Sequence, residues 1–380
     1  VSGSFARSVD DRTPSLAAAG AVLTIDLGAL RENYRRLKAR LGGMRCAAVV
    51  KADGYGLGAI PVAKALMAEG CDSFFVAHVT EGAALREALG NGPAIHVLNG
   101  ISPDAETEIL AAGLIPVLNS GLELQAWRGA AARAGRTLPA ALQVDSGMSR
   151  LGMTPREVEA VAADSKAFEG IDIVLVMSHL ACADEPSHPA NRAQLLEFER
   201  LRRLLPEAPA SLANSSGAFL EPPWRMDLAR LGVALYGVNP TPVLENPMLP
   251  VVRLDAKVIQ TRNLPAGTGV GYGHAFTAPG PMRLATLSIG YADGWQRRVS
   301  AAAFIDGVRL PFVGRVSMDM IVIDISALPP DRLQRGDLVE LIGPSQSVDD
   351  IAAIAGTIGY EILTSLGHRF HRRYLGGETS

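Results

Sequence analysis

Eight short apolar runs recur between residues 46 and 229, at 46–50, 73–77, 94–98, 115–118, 140–144, 171–177, 210–213 and 226–229. Helical segments separate them, as at 80–89, 105–112 and 192–204. Strand and helix alternating every ~20 to 30 residues is the pattern of parallel βα units, because a parallel pair needs a long crossover. Eight units can close into a ring, whereas an open doubly wound sheet leaves two edges. The placement of unusual residues favours the ring. Lys51, His179, Ser215 and Arg230 fall at or just after predicted strand C-termini, the end where a (β/α)8 barrel gathers functional side chains. Before the first unit, Leu27, Leu30, Tyr34, Leu37 and Leu41 form a helical stripe that Gly42-Gly43 can stop.

Past residue 245 the period changes. Residues 252–258 alternate apolar and charged, Asp306-Gly307 is a hairpin signal, 320–325 is another strand, and Ser347 caps one helix through Ile351, Ala355 and Ile358. The chain is therefore expected to divide into an extension over 1–20, a TIM-like (β/α)8 barrel over 21–243, and a mainly β domain with one helix over 244–380. A length of 380 residues suffices for two cores. A net charge of −3 with interspersed signs argues against a nucleic-acid partner, and the cluster His368-Arg369-Phe370-His371-Arg372-Arg373 reads as a solvated tail. The three scattered cysteines, Cys46, Cys71 and Cys182, read as reduced thiols. No apolar run approaches the ~20 residues of a membrane span. The first twenty residues carry Arg7, Asp10, Asp11 and Arg12 without an uninterrupted apolar core, so no secretory signal and a cytoplasmic location are expected. No metal is expected.

The stretch Lys51-Ala-Asp-Gly-Tyr-Gly-Leu-Gly58 ends an apolar strand with an amine and turns on glycines. A lysine held in such a partly apolar place can have its pKa lowered for Schiff-base or general-base work, the plainer alternative being a snorkelling surface residue. Arg230, set in Asp227-Leu-Ala-Arg-Leu-Gly-Val-Ala-Leu-Tyr-Gly237, is a charge in an apolar stretch that needs an ion-pair partner or a polar ligand. Ser211-Leu-Ala-Asn-Ser-Ser-Gly217 follows a strand and could open a helix able to receive a phosphate. Gly267-Thr-Gly-Val-Gly-Tyr-Gly273 lacks the strand and helix that a dinucleotide loop requires.

These motifs, in this order, resemble those of the alanine racemase family, and the resemblance runs over residues 20 to 370. It implies a homodimeric, pyridoxal 5'-phosphate-dependent enzyme acting on an amino acid, with Lys51 holding the cofactor and Lys51 and Tyr272 as the two bases. Removing a proton from one face of Cα and returning one to the other requires two flanking groups. By the same resemblance Tyr55, Ser215, Tyr360 and the Gly232 and Val233 amides would hold the phosphate, and His179 in Val176-Met-Ser-His179 would stack on the ring. Arg230 would face the pyridine nitrogen, and a permanently protonated guanidinium cannot give that nitrogen a full proton. Arg150, in Gln143-Val-Asp-Ser-Gly-Met-Ser-Arg150, would contact the cofactor and the substrate carboxylate. Met318, in Gly314-Arg-Val-Ser-Met318, would offer that carboxylate its N–H. Tyr291 would narrow the channel, and Asp184, Arg297 and Arg315 would line its entry. Two positions depart from the family pattern. Gln143 stands where many members have a carbamylated lysine that orients the arginine, so Arg150 is expected to rely on neutral hydrogen bonding or a bound anion. Ser211 stands where a histidine often supports the cofactor-contacting arginine. The reading is thus an alanine racemase that supplies D-alanine for peptidoglycan. Its alternatives are a broad-specificity racemase, a decarboxylase of the same fold, or a non-catalytic cofactor-binding protein.

Overall fold

A computed structural model of the chain describes residues 14–221, 224 and 226–377. Its elements begin with strand β1 (Ala21–Asp26) and helix α1 (Leu27–Leu41), the latter burying the expected stripe of Leu27, Leu30, Tyr34, Leu37 and Leu41. Eight parallel strands follow: β2 (Arg45–Val49), β3 (Ser73–Val76), β4 (Ala94–Val97), β5 (Ile115–Leu118), β6 (Leu138–Gln143), β7 (Ile171–Met177), β8 (Ala210–Ser211) and β9 (Leu228–Leu231). They pair in the order β8-β7-β6-β5-β4-β3-β2-β9. The ring closes where the N–H groups of Asp227 and Arg230 donate to the carbonyls of Ala210 and Ala213. Its crossovers carry the turn α2 (Lys51–Tyr55) and helices α3 (Ala59–Ala68), α4 (Val79–Leu89), α5 (Glu106–Ala111), α6 (Gly121–Ala134), α7 (Pro155–Ala163) and α8 (Pro189–Arg202). Ser120 and Thr154 cap α6 and α7 through their hydroxyls.

The barrel and the rest of the chain form two compact units, 30–249 and, of the described residues, 14–29 together with 250–377. The second contains β10 (Val252–Leu264), β11 (Gly269–Val270), β12 (Phe276–Thr277), β13 (Met282–Leu287), β14 (Ala302–Ile305), β15 (Val308–Pro311), β16 (Ile321–Asp324), β17 (Leu338–Ile342) and β18 (His371–Leu375). The expected hairpin is present between β14 and β15, with positive φ at both Asp306 and Gly307.

Several expectations are corrected here. β1, unanticipated, pairs antiparallel with β10 and parallel with β18, so residues 21–29 belong with the β unit and not with the barrel. Of the expected extension, 1–13 lie outside the described residues. Residues 16, 17 and 19 are tied to β10 by three hydrogen bonds from Lys257 Nζ to their carbonyls. Two helices, not one, interrupt the β unit: α9 (Val348–Ala355) stops at Gly356 with φ 64°, and α10 (Gly359–Ser365) follows. The basic cluster is no solvated tail. Part of it is β18, and Arg369 donates to Asp293 at 2.7 Å and Asp319 at 2.8 Å.

Candidate functional site

The C-terminal end of β2 delivers Lys51 into α2, which is wound the wrong way for L-amino acids. Ala52, Asp53, Gly54 and Tyr55 all have φ between 53° and 62°. A left-handed turn costs roughly 1–2 kcal/mol per residue with a Cβ, so the surroundings have to hold it. They do so with polar contacts. Asp53 Oδ1 accepts from the Ala59 N–H at 2.9 Å, and the Gly54 and Gly56 N–H groups donate to the Val50 and Ala52 carbonyls. Glu81, the third residue of α4, accepts from the Ala52 N–H at 2.7 Å. The Tyr55 ring lies 4.6 Å from that of Tyr236, whose hydroxyl donates to the Val49 carbonyl. A Cβ built on Gly232 would come within 2.4 Å of the Tyr55 hydroxyl, so only glycine lets β9 pass so close.

Arg230 sits inside β9 rather than after it, and is buried at 3% exposure. Nη1 donates to the Ser211 carbonyl at 3.0 Å and hydroxyl at 2.5 Å; Nη2 donates to the Ser178 carbonyl at 2.6 Å and contacts His179 Nδ1 at 3.3 Å. Ser211 therefore does the supporting work with a hydroxyl and a carbonyl. These partners are all neutral, and burial pushes the guanidinium down to about 10, still protonated at neutral pH. His179 is pushed down to about 3 by burial, with Arg230, Arg150 and Lys51 adding positive charge. Its imidazole is neutral at pH 7, and the arginine donating to Nδ1 assigns the ring proton to Nε2. Burial also holds the Lys51 amine below the ordinary lysine range, reinforced by Arg150 and opposed by Glu81.

Ser215 accepts through Oγ from the Gly232 N–H at 2.9 Å and the Ala234 N–H at 3.3 Å, bringing together a hydroxyl and two amides beside Tyr55. The Val233 amide lies between them in sequence. The Ser211–Gly217 segment opens no α-helix; only the 3-10 turn Gly217–Phe219 follows. Arg150 is exposed, at the end of a loop wound on Asp145 Oδ1, which accepts from the Gly147, Met148 and Ser149 N–H groups. Gln143 reaches that loop by donating Nε2 to the Leu151 carbonyl at 3.1 Å, a neutral hydrogen bond to the backbone beside the arginine. Asp184 is exposed in the loop after β7.

The remaining expected residues lie on the β unit. Tyr272 and Met318 are 67% and 53% exposed, and Tyr291 and Tyr360 are also exposed. The Tyr291 N–H donates to the Ser317 carbonyl and the Ala292 N–H to the Met318 carbonyl, which stitches the Tyr291 and Met318 segments together. A Cβ on Gly271 would lie 3.8 Å from the Arg315 N, placing the Tyr272 turn beside Arg315. Arg297 and Arg315 line one cavity of about 400 Å³ with Arg298. A larger concavity of about 1030 Å³ opens at the opposite, N-terminal end of the barrel, among Arg45, Ser73, Ala94 and His96. His96 stacks on Phe75 at 4.5 Å and 11°, and is pushed down to about 4 by burial with Arg45 and Arg230 nearby.

Glu81 escaped the sequence reading. The signal was available: a carboxylate three residues after His78, at a helix start directly following a strand.

Comparison with known proteins concerns the chain as a whole. The model of the alanine racemase N-terminal domain matches residues 25–240, and that of the C-terminal domain matches 251–374. A catabolic alanine racemase of Mesorhizobium japonicum is 68% identical over 99% of both chains. One of Agrobacterium fabrum, also catabolic, is 51% identical over 96% of this chain and 94% of its own. Among solved structures, alanine racemase from Bartonella henselae with covalently bound pyridoxal phosphate is 42% identical, with a TM-score of 0.90 over 94% of this chain and 100% of that one. Two domain models in the right order and full-length relatives leave one assignment: the chain belongs to the alanine racemase family.

Proposed function

We propose that this chain interconverts L- and D-alanine with pyridoxal 5'-phosphate held on Lys51. The observation that carries the reading is the half-buried, cation-flanked amine at the end of β2, in a chain of this family. The residues present fit the cofactor. Ser215, whose Oγ gathers the Gly232 and Ala234 amides, and Tyr55 beside them form a neutral polar set suited to a phosphate. Arg230, ringed by neutral partners, keeps its charge for a ring nitrogen. His179, neutral and fixed, offers a ring face. When bound, the cofactor supplies an electron sink for charge developing at the substrate Cα.

Lys51, freed when substrate takes its place, exchanges a proton on one face of Cα, and Tyr272 serves the other. Tyr272 can serve as a base once a polar partner faces its hydroxyl in the assembled site. Arg150 and the Met318 N–H bind the carboxylate, Tyr360 and the Val233 amide add to the phosphate contacts, Tyr291 narrows the way in, and Asp184, Arg297 and Arg315 line it. Lys51 and Tyr272 lie on different units, and a head-to-tail homodimer would bring the barrel of one protomer the Tyr272 and Met318 of its partner. No described helix is long and apolar enough to cross a membrane, and we place the enzyme in the cytoplasm. The relatives of Mesorhizobium japonicum and Agrobacterium fabrum are both named catabolic, which supports breakdown of alanine beside supply of D-alanine for peptidoglycan.

Borohydride reduction of the holoenzyme tests the reading. It should fix the cofactor on the peptide containing Lys51; label elsewhere, or none in a saturated sample, rejects it. Exchange of Cα protons across a panel of amino acids, strongest for alanine, separates this enzyme from a broad-specificity racemase.

A further inference from the structure

Three barrel helices start with a glutamate that does the same two things. Glu81 in α4, Glu123 in α6 and Glu157 in α7 each fold back onto the N–H groups of their own strand-to-helix loop, and each also reaches the preceding loop. Glu81 accepts from Ala77 at 2.7 Å and His78 at 3.1 Å, and across the gap from Ala52 at 2.7 Å. Glu123 accepts from Asn119 at 2.9 Å and is bonded to the backbone of Ile101, two loops' worth of contacts from one carboxylate. Glu157 accepts from Thr154 at 2.9 Å and from Gly121 at 3.4 Å. Together they lace neighbouring loops around the C-terminal end of the barrel.

The rung made by Glu81 is unlike the other two in what it holds. Its distant partner, the Ala52 N–H, belongs to the peptide group that begins at Lys51, and it opens the left-handed turn of α2. The orientation of that peptide plane sets the direction in which the lysine side chain leaves the strand. We infer that Glu81 is a positioning residue for Lys51: its carboxylate clamps the Ala52 N–H, keeps the turn left-handed, and thereby aims the amine. This rests on Lys51 holding the cofactor. The titratable and charged groups facing the amine are Glu81 from α4, Arg150 from the loop after β6 and the neutral His179 from the loop after β7; Glu81 is the anion among them.

The test compares Glu81→Ala and Glu81→Gln with Glu123→Ala in the holoenzyme. Glu123→Ala breaks an equivalent rung that does not touch the lysine turn, so it serves as the structural control. For Glu81→Ala, kcat should fall by about 100-fold, the order of effect expected for a displaced reacting group, with KM moving much less. Cofactor should leave on gel filtration about tenfold faster, again through a misaimed link. The limb of the kcat/KM pH profile that reports Lys51 should move to lower pH in both Glu81 variants, since each removes the opposing negative charge. Glu81→Gln keeps one acceptor for Ala52, so its kcat should recover part of the loss while the pH shift persists. Glu123→Ala should lower the melting temperature yet leave cofactor retention and pH profile unchanged. Wild-type retention and profile in Glu81→Ala, or equal changes in Glu123→Ala, would overturn the inference. Should Glu81→Ala fail to fold, an unshifted profile in Glu81→Gln overturns it. Borohydride labelling of the wild type scores the Lys51 reading separately.

Discussion

The two units present their candidate residues in opposite ways. On the barrel, Arg230 and Ser215 are each 3% exposed and bonded to named partners, and His179 is locked against Arg230. On the β unit, Tyr272, Met318, Tyr291 and Tyr360 are between 37% and 67% exposed. Burial moves the titration of Lys51, His179 and Arg230 before any ligand arrives. The barrel thus prepares its own electrostatics, whereas an exposed tyrosine acquires a new environment only from what covers it. On the proposed reading, folding would build one part of the chemistry and assembly of the homodimer the other.

The sharpest way to break this contrast is to remove the barrel amine. Lys51→Ala should lose racemisation by ~10⁴-fold or more, in both directions, together with the borohydride-stable link. A residual rate within tenfold of wild type would place the base elsewhere. Tyr272→Phe should instead be one-sided. Cα–deuterium exchange should fall by ~10² to 10⁴ for one enantiomer and far less for the other, and equal losses would dissolve the distinction between the halves.

A pH titration of stability probes the barrel's side. His179 and His96, both in that unit, have folded-state values of about 3 and about 4 against an ordinary 6.5. Below about 6.5 the unfolded chain takes up protons that the folded one refuses, so stability falls as pH is lowered through that window, by up to about 1.4 kcal/mol per pH unit per histidine, and is flat above it. His96→Leu should flatten the slope seen by denaturant melts between pH 6 and 4; an unchanged slope would mean His96 does not contribute. Ser215→Ala leaves the Gly232 and Ala234 amides without their acceptor and should cost about 1–3 kcal/mol in the same melts. The mildest effect tests assembly. Equal mixing of Lys51→Ala and Tyr272→Phe chains puts both defects in one site of a mixed dimer and neither in the other. With half the dimers mixed, about a quarter of wild-type activity should return if sites are shared across a homodimer. No return after proven subunit exchange would confine each site to one chain.

How much of this could be read in advance follows the kind of force involved. Six of the eight barrel strands overlap their predicted runs nearly end to end, because short buried apolar runs between helices leave little choice of partner, while β8 keeps only the first two residues of 210–213. The last was placed two residues early, since Leu231 extends the apolar run beyond Arg230, so the arginine lies within β9. Arg369 and Arg373 looked like tail because their partners, Asp293, Asp319 and Thr24, lie far away in sequence. The left-handed turn at Ala52–Tyr55 was illegible for another reason. Alanine and tyrosine do not favour positive φ, aspartate tolerates it only as a single residue, and tertiary contacts overrule these preferences. Arg150 was expected to rely on neutral hydrogen bonding or a bound anion; what the structure adds is that Gln143 donates to the Leu151 carbonyl, next to the arginine in sequence.

The pairing of β1 with β18 has a consequence for biosynthesis. Thr24 and Arg373, bonded at 3.0 Å, are 349 positions apart. At roughly 5–20 residues per second, β1 leaves the ribosome on the order of tens of seconds before its last neighbour exists. All eight barrel strands are synthesised in between, so the barrel can collapse while β1 still waits, apolar and with free edges. A nascent chain stalled after residue 249, with linker enough to clear the exit tunnel, should already protect 30–249 from protease while 21–26 is cut. Protection of β1 at that length would show that it finds shelter before β10 and β18 are made.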